Sequence, residues 1–209
     1  SDLLGVLSTL IASIISIPLG TLTAVKHNTP ADYIVTFLCL LFAAMPGFWL
    51  AIILQIYLSL QTGWFPAYGM GTMRHFVLPV IAVCAASVAT NIRSTRTWVL
   101  DVIRSDYVRT ARAKGASEVV VIMKHALRNA LLPIVTGFGS AFAGVLGGSV
   151  VIETVFAIPG ISTYLTSAVK TRDMPIIMGC ILVISVFVGV VNLLVDLMYS
   201  VIDPRVKYE

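Results

Sequence analysis

The chain has 209 residues, of which 58% are hydrophobic and only 11% are charged, and its formal net charge is +4. Soluble domains average about 45–50% apolar and about 25% charged residues, so one core of this size could not bury so many apolar side chains. The composition also excludes a disordered chain, which needs low hydrophobicity and high charge. It therefore indicates an integral membrane protein.

Five uncharged runs predict five membrane-spanning helices, and hence an all-α, polytopic helical bundle. The runs are continuously apolar and not alternating, which favours helices over strands. A bilayer crossing needs about 20 residues, so we expect the long second run to tilt or to overhang the membrane. No charge lies in the middle of a run, which argues against an ion path. In chain order the runs are Leu3–Val25, Tyr33–Gln61, His75–Ile92, Asn129–Ile152 and Met174–Val195.

The distribution of basic residues predicts the orientation. With five spans, eleven of the 14 Lys and Arg residues fall on one side of the membrane. The positive-inside rule places that side, with the C-terminus, in the cytoplasm. The chain would then enter from outside at Ser1 without a signal peptide. We therefore expect a preceding span to be missing; an intact protein with an external N-terminus is the alternative.

A basic loop, residues 101–128, is the only sizeable polar region. Ser105 or Asp106 can cap a first helix over about Tyr107–Lys114, and Gly115 stands at the following C′ position, which requires a positive φ. Ser117 can cap a second helix. The apolar residues of that second helix are predicted to share one stripe: Val119, Ile122, Met123, Ala126 and Leu127. A loop lying on anionic headgroups and a loop docking into a partner both fit, and the glycine-closed turn favours docking.

The fourth run is rich in small residues at four-residue spacing. Such ridges allow helices to approach closely. Packing within this chain and a place at a subunit interface or along a pathway both remain open. The ridges are Ser140, Gly144 and Gly148, and beside them Gly139, Ala143 and Gly147.

The segment 153–173 is too polar for a sixth span and too apolar for a free loop. It predicts an extracytoplasmic loop with a short interfacial helix over about Ile161–Thr171. Anchoring in the membrane interface by Tyr164 and contact with a partner protein both fit this segment.

Chemical motifs are few. No GxxxxGK[ST] loop is present, so the chain has no P-loop with which to bind ATP. The histidines His27, His75 and His125 lie at the edges of different runs. We therefore expect no catalytic residues, no metal site and no cofactor in this chain.

The most specific motifs are Asp106-Tyr-Val-Arg-Thr-Ala-Arg-Ala-Lys-Gly115 and Lys124-His-Ala-Leu-Arg-Asn-Ala-Leu-Leu-Pro133. With Gly63-Trp-Phe-Pro66 and Val150-Val-Ile-Glu-Thr-Val-Phe-Ala-Ile-Pro-Gly160, they resemble the permease subunits of ABC importers, and more narrowly the dipeptide, oligopeptide and nickel group. The resemblance covers essentially the whole chain. Arg109 and Arg128 depart from the wider permease pattern, which has Glu and Pro there, so a salt bridge from that Glu to a partner is not expected.

The resemblance implies the type I permease fold, as one transmembrane domain over residues 1–209 in a bacterial or archaeal cytoplasmic membrane. The implied partners are a second, homologous permease, two subunits that bind ATP and Mg, and an extracytoplasmic substrate-binding protein, with no nucleic acid. The ATPase-coupling residues would be Asp106, Tyr107, Arg109, Thr110, Ala111, Arg112, Lys114, Gly115, Ala116, Ser117 and Glu118. Peptides are the expected cargo and nickel or a metal chelate the alternative. From another class, an autonomous channel or secondary carrier is the competing hypothesis.

Overall fold

The computed structural model describes residues 2–148 and 150–202, without the side chains of residues 2, 140–148, 195, 196 and 198–202. All regular structure in these ranges is helical, which confirms the all-α prediction. Two π-helical segments, Gln55–Gln61 and Val121–Leu127, continue α3 and α6 respectively. The α-helices are α1 (Asp2–Val25), α2 (Pro30–Ala44), α3 (Gly47–Leu54), α4 (Arg74–Ile103), α5 (Asp106–Ala113), α6 (Glu118–Val120), α7 (Arg128–Gly148), α8 (Val150–Val155), α9 (Ile161–Thr171) and α10 (Met174–Ile202).

Four helical stretches in the described part are long and apolar enough to cross a membrane, and a bent pair makes a fifth if it counts as one span. The four are Leu3–Val25, Arg74–Ile103, Glu118–Gly139 and Met174–Leu194. The helices of the third and fourth spans extend beyond the uncharged runs His75–Ile92 and Asn129–Ile152. The extension follows from packing, because residues such as Val99 are fully buried beyond the end of the run.

The second span is broken, whereas we expected one tilted or overhanging helix. Helix α2 and the stretch Gly47–Gln61 meet at an angle of 93°. Met45 has an extended backbone, with φ −78° and ψ 125°, and it precedes Pro46. A proline disfavours the helical conformation of the residue before it and donates no backbone hydrogen bond. The excess length is therefore taken up by a corner in the chain.

Helix α4 is at the centre of the fold and packs against α1, α2, α3 and α7. At one end of the bundle, Ala24, Val99 and Ile134 belong to one apolar cluster. At the other end, Leu4, Phe76 and Ile152 belong to a second cluster. We call the first the basic end, since the segments 26–29 and 104–117 lie there, and the second the opposite end.

Helices α1 and α4 approach each other closely at Gly20. A Cβ atom on Gly20 would lie 2.7 Å from Cβ of Thr95 and 2.8 Å from the carbonyl oxygen of Ile92. Further along the same pair, the thiol of Cys84 donates a hydrogen bond to the carbonyl oxygen of Ser8 at 3.1 Å. These contacts set the relative height of the two helices and bring Ile92 and Thr95 level with Gly20.

Replacing Gly20 by Val is expected to destabilise the fold by about 2 kcal/mol, because added methyl groups have no room in a close-packed contact. The measurement is the thermal unfolding temperature of the detergent-solubilised protein. Gly179→Val in α10 is the matched control, since a Cβ there meets no atom within 4 Å. An equal shift for both variants would contradict the close contact.

Candidate functional site

The polar region at the basic end forms a helical hairpin of α5, α6 and the first residues of the π-helical segment, which we call the α5–α6 hairpin (residues 106–123). Helix α5 covers Asp106–Ala113, one residue earlier than expected, and Ser105 is its N-cap residue. The Ser105 hydroxyl donates a hydrogen bond to the carbonyl oxygen of Val102 at 2.6 Å and so ties the start of the hairpin to α4. Ser117 is the N-cap residue of α6, and Glu118 is in its first turn.

Gly115 closes helix α5 in the conformation that the sequence predicts. Its φ is +81°, which confirms the left-handed C′ position. The N–H of Gly115 donates to the carbonyl oxygen of Arg112 at 2.9 Å, and the N–H of Ala116 donates to that of Ala111 at 3.3 Å. This pair of bonds is a Schellman motif, which a residue with positive φ makes possible. No atom lies within 4 Å of a Cβ added at Gly115, so the tip of the hairpin faces open space.

An ion pair spans the turn at Gly115, and it was not predicted from the sequence. Nη2 of Arg112 lies 2.6 Å from Oε1 of Glu118, and Nε lies 3.1 Å from Oε2, so the pair is bidentate. The hydrogen bonds that Arg112 donates to the Glu118 carboxylate raise the pKa of the Arg112 guanidinium. Both side chains are exposed, so the pair contributes at most about 1 kcal/mol. Its effect is geometric, because it holds the two arms of the hairpin together.

The hairpin has a buried side and an exposed apolar side. Val108 on α5 and Val121 on the π-helical segment are both fully buried. Tyr107, Val119 and Met123 are exposed. An exposed apolar surface beside basic side chains is typical of a site that binds a protein partner.

The prediction that the apolar residues of the second helix share a single stripe is wrong. Met123 is exposed and Ala126 is fully buried, although a 3.6-residue period puts both on one face. The cause is the π-helical conformation of Val121–Leu127. Hydrogen bonds from i to i+5 place more residues in each turn, so the faces rotate relative to those of an α-helix.

The structure brings the eleven predicted coupling residues together on one protruding element. Nine of them are exposed, and Ala111 and Ala116 are half-buried. Asp106 and Arg109 form a loose, exposed ion pair at 3.7 Å. The set is therefore accessible to a partner, with little of it used for packing inside the chain.

The glycine ridges of the fourth span are only partly covered by the described residues. Gly139 is buried. The side-chain environments of Ser140, Ala143, Gly144, Gly147 and Gly148 lie outside the described residues. Two residues before Gly139, Gly137 provides a close contact with α4, because a Cβ there would collide with the Trp98 ring.

A buried ionic cluster lies at the basic end of the bundle, and no pattern in the sequence predicted it. The Asp32 side chain is only 2% exposed, and it accepts hydrogen bonds from Nε and Nη2 of Arg96, both at 2.7 Å. Nη2 of Arg96 also lies 2.8 Å from Nδ1 of His27. The N–H of Asn28 donates to Asp32 at 3.0 Å. The cluster connects the α1–α2 turn to α4 across 64 residues of sequence, so no local pattern could reveal it.

At the opposite end, Glu153 is fully buried and organises the start of α9. Its carboxylate accepts hydrogen bonds from the N–H of Thr163 at 3.2 Å and from the Thr163 hydroxyl at 3.4 Å. A Cβ on Gly160 would collide with that carboxylate. Helix α9 occupies Ile161–Thr171, the range expected for the short helix. The preceding loop starts later than residue 153, because α8 continues to Val155.

The side chain of Gln55 joins two other segments at the opposite end. Its Nε2 donates to the carbonyl oxygens of Ala67 at 2.9 Å and Val155 at 3.1 Å. Among the residues that the structure describes, no group of three or more His, Cys, Asp and Glu side chains could hold a metal ion.

Comparisons with known proteins agree with this architecture. The family model for "Binding-protein-dependent transport system inner membrane component" matches residues 16–208. The oligopeptide transport system permease protein AppB of Bacillus subtilis is 41% identical over 99% of this chain and 68% of its own length. The dipeptide permease DppB of Alkalihalophilus pseudofirmus is 38% identical over 98% and 70%. The glutathione permease GsiC of Pectobacterium atrosepticum is 40% identical over 95% and 65%.

This chain thus spans about two thirds of the length of the curated relatives that it matches. The family match covers more than nine tenths of the chain and includes the α5–α6 hairpin, the glycine-rich α7 and the loop to α9. The helical spans and the sequence matches therefore lead to one assignment. The chain belongs to the family of inner membrane components of binding-protein-dependent transport systems, and is a multi-pass membrane permease.

Proposed function

We propose that this chain is a permease subunit of an ATP-driven, binding-protein-dependent importer of dipeptides or oligopeptides. It would form half of the translocation pathway, with a homologous permease forming the other half. The single observation that carries the coupling role is the exposed, glycine-closed α5–α6 hairpin. The peptide cargo is inferred from the three relatives above, which are named for oligopeptides, dipeptides and glutathione. None of these three is named for nickel.

The basic end is the cytoplasmic end in this proposal. The supporting observation is that eleven of the 14 Lys and Arg residues belong to segments assigned to that side, as the positive-inside rule requires. The Asp32–Arg96 contact supports the grouping of these segments, since it joins the first turn of α2 to the half of α4 nearer the basic end. The C-terminus would be cytoplasmic, because α10 begins after α9 at the opposite end.

The α5–α6 hairpin would dock on one of two partner subunits that bind ATP and Mg. Tyr107, Val119 and Met123 offer exposed apolar contacts, and Arg109 and Lys114 add positive charge beside them. Helix-in-groove recognition uses this combination of a compact helical element with apolar anchors. For ATP to drive transport, the hairpin must make different contacts in the two states of the importer.

The opposite end would face the substrate-binding protein. Helix α9 exposes Tyr164 and Val169, and the Glu153 contacts hold the start of α9 at a defined position on α8. A rigid, partly apolar helix at this end can serve as part of a receptor platform. Anchoring of Tyr164 in the membrane interface is compatible with that role.

Cysteine crosslinking in the complete importer tests the proposal. Lys114→Cys and Lys170→Cys form a matched pair, because both lysines are exposed and lie at opposite ends. The native cysteines Cys39, Cys84 and Cys180 are buried and give little background. We expect Lys114→Cys to crosslink to an ATP-binding subunit and Lys170→Cys to react with an impermeant thiol reagent added outside intact cells.

Two results would contradict the proposal. Labelling of Lys114→Cys from outside would reverse the orientation. Peptide uptake by this chain alone in liposomes, without ATP and without partner subunits, would favour an autonomous channel or secondary carrier.

A further inference from the structure

One face of helix α4 is unusual for a helix in a membrane. Thr90, Arg93, Thr97 and Asp101 are all exposed. At 100° per residue these four positions lie on one face, whereas Ile81, also exposed, lies on the other side of the helix. The sequence analysis ended the third span at Ile92 and treated Arg93 as part of a loop. The structure shows α4 continuing unbroken to Ile103.

The exposed residues of α4 differ from those of a lipid-facing helix. The exposed face of α10 carries large apolar side chains such as Leu182, Val186 and Val190. On α4, Ile81 is the one large apolar side chain among those found exposed in the described residues. Polar side chains on a spanning helix generally face other helices or a water-filled cavity. The Thr90–Arg93 face is therefore directed away from lipid.

The contact with α1 gives the depth of Arg93. Ile92 and Thr95 flank Gly20, so Arg93 is level with Gly20 on α1. The uncharged part of α1 continues to Val25, and at a rise of about 1.5 Å per residue Arg93 lies about 8 Å inside the end of α1. Thr90 lies about one turn deeper. The backbone of Arg93 therefore lies within the apolar layer and not in the loop outside it, and its side-chain stem can extend the guanidinium toward the basic end.

Arg93 and Arg96 differ in how their charges are compensated. The charge of Arg96 is neutralised by Asp32 within the chain. For Arg93, in the part of the chain that the structure describes, only the backbone takes part in a hydrogen bond, its carbonyl oxygen accepting from the Thr97 hydroxyl at 3.0 Å. An uncompensated cation at this depth is costly. The positive charge of Arg93 is therefore available to an anionic group from outside the chain.

We propose that Arg93 binds the terminal carboxylate of the peptide cargo as it moves along the Thr90–Arg93 face of α4. The inference rests on the proposed function and adds a cargo-binding group to it. Every peptide with a free C-terminus carries this carboxylate, and a guanidinium matches it with two parallel hydrogen bonds. Neighbouring threonine hydroxyls on the same face provide further polar contacts for a peptide backbone.

The first measurement tests the location of the pathway in the assembled importer in proteoliposomes. Thr90→Cys is compared with Ile81→Cys, on the other side of the same helix. We expect a water-soluble maleimide to label Thr90→Cys, and a transported tripeptide to slow that labelling. Ile81→Cys should stay unlabelled. Failure to label Thr90→Cys would overturn the inference, since the face would then be covered by lipid or by the second permease.

The second measurement tests the charge. The probes are a tripeptide and its C-terminal amide, chosen so that the purified binding protein binds both with equal affinity. We expect Arg93→Gln to lower uptake of the free tripeptide by about tenfold, the effect of one charge-assisted hydrogen-bonded contact. Uptake of the amide should be equal in wild type and variant. Arg93→Lys should lower uptake of the free tripeptide less than Arg93→Gln does, because it keeps the positive charge.

Arg104→Gln is the matched control, since Arg104 is exposed on the same side of α4, about three turns nearer the basic end. It should change uptake of either peptide by less than about twofold. Equal losses for the free peptide and the amide in Arg93→Gln would identify Arg93 as a group that pairs with lipid phosphate or with the second permease. Such a result overturns the inference while wild-type uptake still supports the peptide importer. No uptake by the wild type would contradict both.

Discussion

Replacing Gly115 by Asp is expected to lower ATP-driven uptake by the assembled importer by about tenfold or more, the size of effect that a central interface position produces. Aspartate tolerates positive φ better than most residues, so the cost to the hairpin is only about 1 kcal/mol. A Cβ at this position meets no atom within 4 Å. The hairpin therefore keeps its shape, while a carboxylate projects from the tip that we propose docks on the ATPase subunit.

Three measurements check this result: peptide uptake, ATP hydrolysis, and the amount of the chain in the membrane, which should not change. Gly63→Asp is the matched control, because Gly63 also has a positive φ, +67°, and no atom within 4 Å of an added Cβ, but lies at the opposite end. Gly115→Asn has a similar shape without the charge, so it separates steric from electrostatic interference. Normal uptake by Gly115→Asp, or an equal loss in Gly63→Asp, would remove the support for docking through the hairpin tip.

Replacing Asp32 by Asn is expected to destabilise the folded chain by about 3 kcal/mol, because breaking a buried ion pair leaves an uncompensated charge behind. The Asp32 carboxylate accepts two hydrogen bonds from Arg96 and one from the backbone of Asn28. The amide of Asn can accept only through its single oxygen. The effect should be seen as a lower unfolding temperature and a lower yield of solubilised protein.

Asp101→Asn is the control for this prediction, since Asp101 is an exposed carboxylate on the same helix as Arg96. It should leave the unfolding temperature nearly unchanged. The double variant Asp32→Asn with Arg96→Gln should lose less stability than the sum of the losses in the two single variants. Residues in contact do not act additively. Strict additivity would mean that the two side chains do not stabilise one another.

The sequence revealed the membrane spans through the lengths of its uncharged runs. It also predicted the turn at Gly115, because a helix C-terminus followed by glycine is a local signal with a known backbone requirement. The position of α9 followed in the same way from its local composition. These features depend on residues that are near one another in the chain, so a pattern of hydrophobicity and turn residues contains the necessary information.

The features that the sequence could not reveal depend on distant contacts or on small changes in backbone hydrogen bonding. The Asp32–Arg96 pair joins residues 64 positions apart. The π-helical segment Val121–Leu127 has no sequence signal of its own, and it exposes Met123 while burying Ala126. The burial of Glu153 under α9 required the loop at Gly160 to fold back over α8, which only the assembled bundle determines.

The sequence by itself determined that this is a polytopic helical membrane protein with one basic, glycine-turned hairpin, since long apolar runs and helix-ending glycines act through local solvation and backbone geometry. Only the tertiary structure decided which charges are compensated inside the chain. Arg93 and Arg96 are three residues apart on α4 and look equivalent in the sequence. The packing of α2 against α4 gives a carboxylate to Arg96, and it leaves Arg93 on the open face of the helix.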